Sequence, residues 1–258
     1  MIIETHAHYD DGAFDEDRES LIESLPGQGI GRVINVGASM PTTRNSIELA
    51  KRYPFIYAAV GVHPDDAPQM TEADLSELRS YCSYEKTVAV GEIGLDYYWH
   101  KEEEHRKKQQ YYFRRQLAIA REEKLPFIIH SREAAKDTFD ILTEEKAGEI
   151  GGVVHCYSYS AELAREYIKM GLYIGIGGVV TFKNAKKLKE VAAEIPLDHI
   201  LLETDSPYMA PTPFRGKRNC SLYLPYVAKE IAALKGITPE EVITATEKNA
   251  RKLFVKLR

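Results

Sequence analysis

Hydrophobic and polar positions come in blocks along the chain. Short β-branched runs recur every 25–35 residues or so, and an amphipathic stretch follows each. The runs predict strands near Ile2–His6, Arg32–Ala38, Ile56–His63, Val88–Gly94, Pro126–His130, Gly152–Cys156, Tyr173–Gly177 and Ile200–Asp205. Most are continuously apolar, as strands covered on both faces should be. The stretches between them predict helices over Asp15–Leu25, Thr42–Arg52, Glu72–Ser83, Glu103–Lys124, Glu133–Glu145, Ala161–Met170 and Ala185–Ala193,. Three more are expected near the end, at Ser221–Leu234, Pro239–Thr246 and Glu247–Val255. Start signals such as Thr71-Glu72-Ala73-Asp74 support several of these helices,.

Eight strand–helix units predict the α/β class and a (β/α)8 TIM barrel, and 258 residues suit such a barrel as one domain spanning 1–258,. The competing architecture is an open doubly wound sheet. No Gly-x-Gly-x-x-Gly follows the first strand, so the nucleotide-binding version of that sheet lacks its fingerprint. No linker, low-complexity tract or internal repeat divides the chain.

No apolar run reaches the roughly 18 residues of a membrane span, and no basic-then-apolar leader opens the chain. Cys82, Cys156 and Cys220 form no CxxC pair and no even framework. The expectation is a cytoplasmic protein in a reducing setting. A net charge of −5 argues against a surface that coats nucleic acid generally, but it permits a nucleic-acid substrate held by a few local cations,.

Five of the eight histidines, His6, His8, His63, His130 and His155, fall at or just beyond predicted strand ends, as do Glu92 and Asp205. The C-terminal ends of barrel strands gather on one face, so these distant residues can meet there. His6 and His8, two apart on a strand, point the same way. His6, His8, His130 and His155 supply nitrogen ligands and Glu92 and Asp205 supply oxygens, enough for two divalent ions bridged by Glu92. The mixed set suits Zn or Mn, with Mg tolerable where oxygens and waters dominate. Two ions about 3.5–4 Å apart can bind a phosphodiester, activate water and stabilise the leaving oxygen.

The motifs Glu4-Thr5-His6-Ala7-His8, Gly61-Val62-His63-Pro64, Gly91-Glu92-Ile93-Gly94-Leu95-Asp96-Tyr97, His130-Ser131-Arg132, His155-Cys156-Tyr157-Ser158 and Glu203-Thr204-Asp205-Ser206-Pro207 follow one another. In that order the chain resembles the TatD-type metal-dependent deoxyribonucleases, and the later stretch from Ala210 to Asn219 does too. The resemblance covers essentially the whole chain. It implies a TIM-barrel hydrolase of the amidohydrolase superfamily with one or two divalent metals and DNase activity, often exonucleolytic. On the same resemblance, His6, His8, Glu92, His130, His155 and Asp205 match metal-ligand positions, and Asp205 sits where the superfamily places its general base. Related binuclear hydrolases bridge their metals with a carbamylated lysine on the fourth strand; here that position offers Glu92. The chain departs from the family pattern with Glu4 for Asp, Tyr157 for Phe, Tyr159 for Gly and Cys220-Ser221 for an acidic-Pro pair. Glu4 is expected to orient a ligand still, and Tyr159 to narrow the pocket or stack on a base.

Further candidates surround this set. His63 is expected to contact a phosphate, shuttle a proton or hydrogen-bond a metal ligand. Arg132 could hold a phosphate or form a helix-start ion pair. Arg215, Lys217 and Arg218 form a compact basic cluster suited to phosphate capture or to a solvated loop. Glu203 is expected to face inward and hold a ligating histidine or Arg132. Ser206 and Ser158 are expected to position substrate. Tyr97, Tyr98 and Trp99 either stack on bases or anchor their loop. Cys156 is expected to alternate away from His155 into the sheet–helix layer. The reading is a metal-dependent nuclease acting on DNA, as single strands or strand ends, through two divalent ions, with Asp205 and Glu92 catalytic. It needs neither a membrane nor an obligate protein partner. Alternatives are a D-aminoacyl-tRNA deacylase or other ester or amide hydrolase, and a catalytically idle metal-bound scaffold.

Overall fold

The computed structural model describes residues 1–257, and all eight expected strands form in it. They are β1 (Ile2–Ala7), β2 (Ile30–Val36), β3 (Ile56–Val60), β4 (Thr87–Asp96), β5 (Phe127–Arg132), β6 (Gly152–Val154), β7 (Tyr173–Ile176) and β8 (Ile200–Leu202). Every neighbouring pair is parallel, in sequence order β1 to β8. A bridge between Ala7 and Ser206 and the Asp205 N–H donating to the His6 carbonyl (2.9 Å) bring β8 back to β1. The result is a nearly closed (β/α)8 barrel. The alternating helices are α1 (Arg18–Ser24), α2 (Met40–Arg52), α3 (Glu72–Cys82), α4 (Glu103–Glu122), α5 (Ala135–Glu144), α6 (Ala161–Lys169) and α7 (Lys186–Glu194), followed by α8 (Leu224–Lys235) and α9 (Pro239–Leu253). Among the described residues no helix is long and apolar enough to cross a membrane.

One buried apolar cluster takes a residue from every strand: Ile3, Ile34, Tyr57, Val88, Ile128, Val153, Tyr173 and Leu201. This is the barrel floor, and Phe254 and Leu257 plug it from below. Each such side chain stabilises the fold by about 1.5–3 kcal/mol through burial. Two residues further along their strands, the same inward parity delivers His130, His155 and Glu203 to the opposite end.

Several expected boundaries move. The two helices expected at Pro239–Thr246 and Glu247–Val255 are one, α9, because no Gly or Pro interrupts the run,. The buried Thr246 hydroxyl is satisfied inside that helix by the Val242 carbonyl (2.9 Å). Residues Ser221–Tyr223 form a 3-10 turn, and α8 begins behind it with Pro225 in its first turn, where a missing N–H costs nothing,. Strands β6 and β8 stop at Val154 and Leu202, short of the expected Cys156 and Asp205. Beyond them Cys156 and Asp205 adopt left-handed backbone (φ 44° and 56°), so strand parity no longer decides where they point,.

Candidate metal centre at the barrel mouth

The polar ends of the strands surround a cavity of about 880 Å³. Glu92, on β4, lies at its base and is almost fully buried. Its two carboxylate oxygens face different groups. Oε2 lies 3.4 Å from His6 Nε2 and 3.8 Å from His8 Nε2. Oε1 lies 2.8 Å from His130 Nδ1, 2.7 Å from His155 Nε2 and 3.7 Å from His63 Nε2. Asp205 Oδ1 completes the first group at 3.8 Å from His6 Nε2 and 3.5 Å from His8 Nε2.

The donor chemistry fits divalent cations. His6 Nε2 and His8 Nε2 are 3.1 Å apart. The edge of a tetrahedron with metal–ligand bonds of about 2.0–2.2 Å is roughly 3.4 Å. His8 Nδ1 donates to the Val36 carbonyl at 2.8 Å, which leaves Nε2 to face the cluster,. The rings of His6 and His155 stack at 3.8 Å, and the Nδ1 atoms of both are buried without a hydrogen-bond partner. Glu203 Oε1 is 3.7 Å from His155 Nδ1, so the Glu203 carboxyl faces that nitrogen while Nε2 is turned to the cluster,. Ligand-type atoms of His6, His8 and Asp205 converge within 4.8 Å, as do those of His63, Glu92 and His130.

Burial and charge oppose each other throughout the cluster. Burial would raise the Glu92 carboxyl, but His155 and His63 beside it hold it well below the usual range. Burial would lower His8, yet its bond to Asp205 lifts it to about 9. His130 also reaches about 9 against burial, gripped between Asp96 and Glu92. Burial, with His155 alongside, takes His6 down to about 4. His63 falls to about 3 through burial and the nearby His130. Burial pushes Glu203 up to about 8 against the pull of His155.

Of the secondary candidates, His63 joins the cluster itself, across Glu92 and edge-on to His130 (4.2 Å between rings). Arg132 stands exposed at the rim with its guanidinium 3.9 Å from the Tyr98 ring and 5.5 Å from that of Trp99. Tyr97 anchors this loop, donating to Asp137 at 2.8 Å, while Tyr98 and Trp99 are 40% and 63% exposed. Arg215 lies over Phe182 (4.4 Å), a residue that lines the cavity, and Lys217 is exposed without lining it.

Other expectations are corrected. Ser206 is fully buried and does not line the cavity; its carbonyl accepts from the His8 amide at 2.8 Å and helps close the barrel. Arg218 is committed to both oxygens of Asp17 and to the Ala13 carbonyl, so it is not part of a free phosphate-capturing trio. Cys156 lines the cavity instead of the sheet–helix layer, because β6 ends before it and its φ is positive. Tyr159 neither narrows the mouth nor stacks there; its hydroxyl is held by Ser131 (2.9 Å). Glu4 touches no histidine ring: it accepts from the amides of His6 and Thr204 and from Ser221 Oγ. Two departures from the resemblance, Glu4 and Ser221, thus meet in one buried hydrogen bond.

Asp96 was assigned no role from the sequence. Its Oδ2 lies 3.1 Å from His130 Nε2 and fixes that ring from the side opposite Glu92. Its parity with Glu92 on an unusually long strand was the signal that could have found it,.

Across residues 3–255 the chain matches the family model described as TatD related DNase. It is 48% identical over 254 residues to the Bacillus subtilis protein named uncharacterized metal-dependent hydrolase YabD, covering 98% of this chain and 99% of that one. The Cronobacter sakazakii protein named 3'-5' ssDNA/RNA exonuclease TatD is 32% identical over 249 residues, covering 94% of each. Among solved structures, the TatD homolog YjjV of Escherichia coli superposes with a TM-score of 0.91 at 31% identity, covering 98% of both chains.

Proposed function

The chain belongs to the TatD-related DNase family of metal-dependent hydrolases, and from that premise we propose that it is a deoxyribonuclease using two divalent ions to hydrolyse phosphodiesters at single strands or strand ends. The observation that carries the reading is the division of Glu92, one oxygen toward His6, His8 and Asp205, the other toward His63, His130 and His155. His6, His8, Glu92 and Asp205 would hold one ion, and Glu92, His130 and His155 the other, with His63 beside them. Bound there, Zn, Mn or Mg would supply Lewis acidity that makes water a nucleophile at neutral pH and offsets charge on phosphorus.

The protein's own groups do the rest. Asp205 stays ionised because its bond to His8 outweighs burial, so it can take the proton of the attacking water,. Arg132, free at the rim, presents its planar guanidinium to a non-bridging phosphate oxygen. Asp96 keeps His130 oriented, and Glu203 faces the unpartnered Nδ1 of His155,. The exonuclease name of the Cronobacter sakazakii relative supports a nucleic-acid substrate.

The test is parallel hydrolysis of single-stranded DNA, duplex DNA and D-aminoacyl-tRNA by chelator-stripped protein with metal added back. The expected result is metal-dependent cleavage of the single strand, abolished by EDTA. Hydrolysis of the aminoacyl ester alone, or DNA cleavage indifferent to EDTA, would overturn the proposal.

A further inference from the structure

A second cavity of about 400 Å³ lies beside the barrel mouth. It shares Tyr157, Ser158, Val179 and Leu188 with the main cavity, which places the two side by side, and Asn184, Lys186 and Lys187 also line it. No acidic residue lines it among the described residues. The far rim of the main cavity differs sharply, with Asp10 and Asp11 beyond β1 and Asp65 and Asp66 beyond β3. A polyanion reaching the cluster is repelled on the β1–β3 side and attracted on the β7 side, where Arg215 also lies over Phe182,.

The lysines are unneutralised. Lys189, a turn further along α7, pairs with Glu230 at 2.6 Å, whereas Lys186 and Lys187 have no acidic partner among the described residues. Both stand in the first turn of α7, which carries no acidic residue, so their charge adds to the positive end of the helix,. Two like charges added there are unfavourable for the isolated chain, and an anion on the cavity wall relieves them.

We propose that this side cavity is a second anion subsite, holding backbone phosphates of a single-stranded polynucleotide that flank the scissile one, with Lys186 and Lys187 as the contacts. It rests on the nuclease reading for the identity of the anion, and it makes the enzyme favour longer strands over dinucleotides. An unpaired strand suits the site because its backbone can turn from the main cavity into the side one, which a stiff duplex cannot.

The experiment compares wild type with the double variant Lys186→Gln/Lys187→Gln. Fluorescence anisotropy of a labelled single-stranded octanucleotide, measured in EDTA across a range of salt concentrations, reads binding without turnover. Each phosphate contact to a single strand contributes roughly 0.7 to the slope of log affinity against log salt, so the variant is expected to lose about 1.4 of that slope. With metal restored, the ratio of kcat/KM for octanucleotide to that for dinucleotide is expected to fall about tenfold. An unchanged slope, or equal losses on both substrates, would overturn the subsite. Loss of slope in a protein that cleaves no phosphodiester with any divalent metal would uphold the subsite and sink the nuclease reading instead.

Discussion

At Glu92 a single side chain faces both halves of the cluster: five imidazoles approach its two oxygens from β1, β3, β5 and β6 and the segments following them. Replacing it with alanine is expected to lower the metal content and reduce nuclease turnover by at least about a thousandfold, with the far-UV circular dichroism unchanged. Wild-type turnover by that variant, with excess metal and with EDTA alike, would exclude the mechanism. Asp205→Asn tests its role as proton acceptor: metal binding weakens but is restored at saturating metal, where kcat is still expected to be about a hundredfold lower, since the amide cannot take a proton,. The cysteines give an independent check on burial. Cys82 is pushed up to about 12 by desolvation, and burial raises Cys156 and Cys220 as well. A thiol reagent is therefore expected to titrate three groups in denaturant, while in the native protein the buried Cys82 and Cys220 stay unlabelled and only Cys156, which lines the cavity, is within reach,. Ready labelling of Cys82 or Cys220 in the native protein would contradict the packing around them.

Among the elements, β4 carries the most chemistry and the tightest construction. Gly94 pairs with His130 on β5 at φ 142°, and a Cβ there would sit 1.9 Å from the His130 carbonyl oxygen. Gly94→Ala is thus expected to cost about 2–4 kcal/mol in denaturant unfolding and to weaken metal binding by displacing His130. A variant with wild-type stability would show that the two strands are further apart. Where β1 and β8 meet the start of α8, the Glu4, Ser221 and Tyr9 side chains bond to one another while fully buried. Ser221→Ala leaves Glu4 short of a partner and is expected to cost about 1–3 kcal/mol with kcat little changed. These elements also show what the sequence could convey. His6 and His130 were readable because they lie within β1 and β5, and His8 because it follows β1 by a single residue. Cys156 and Ser206 were misread because β6 and β8 end early and tertiary hydrogen bonds take over their backbones. The two helices expected at Pro239–Thr246 and Glu247–Val255 are one element because no residue between them stops a helix,.

For the whole molecule, the barrel turns eight separated strand ends into one mouth, where the histidines that follow those ends come together,. The overall charge of −5 said less, because what matters for an anionic substrate is its arrangement: acids over β1 and β3, arginines and lysines over β5, β7 and β8. That polarity depends on loops whose course no spacing rule gives. The central claim concerns cations shared across Glu92. It is tested most directly by titrating chelator-stripped protein with Mn or Zn while following cleavage of an end-labelled single-stranded oligonucleotide. Activity is predicted to rise from zero and level off at two equivalents of metal per chain. A substantial rate before any metal is added, or a plateau at two equivalents of bound metal with no cleavage, would contradict it.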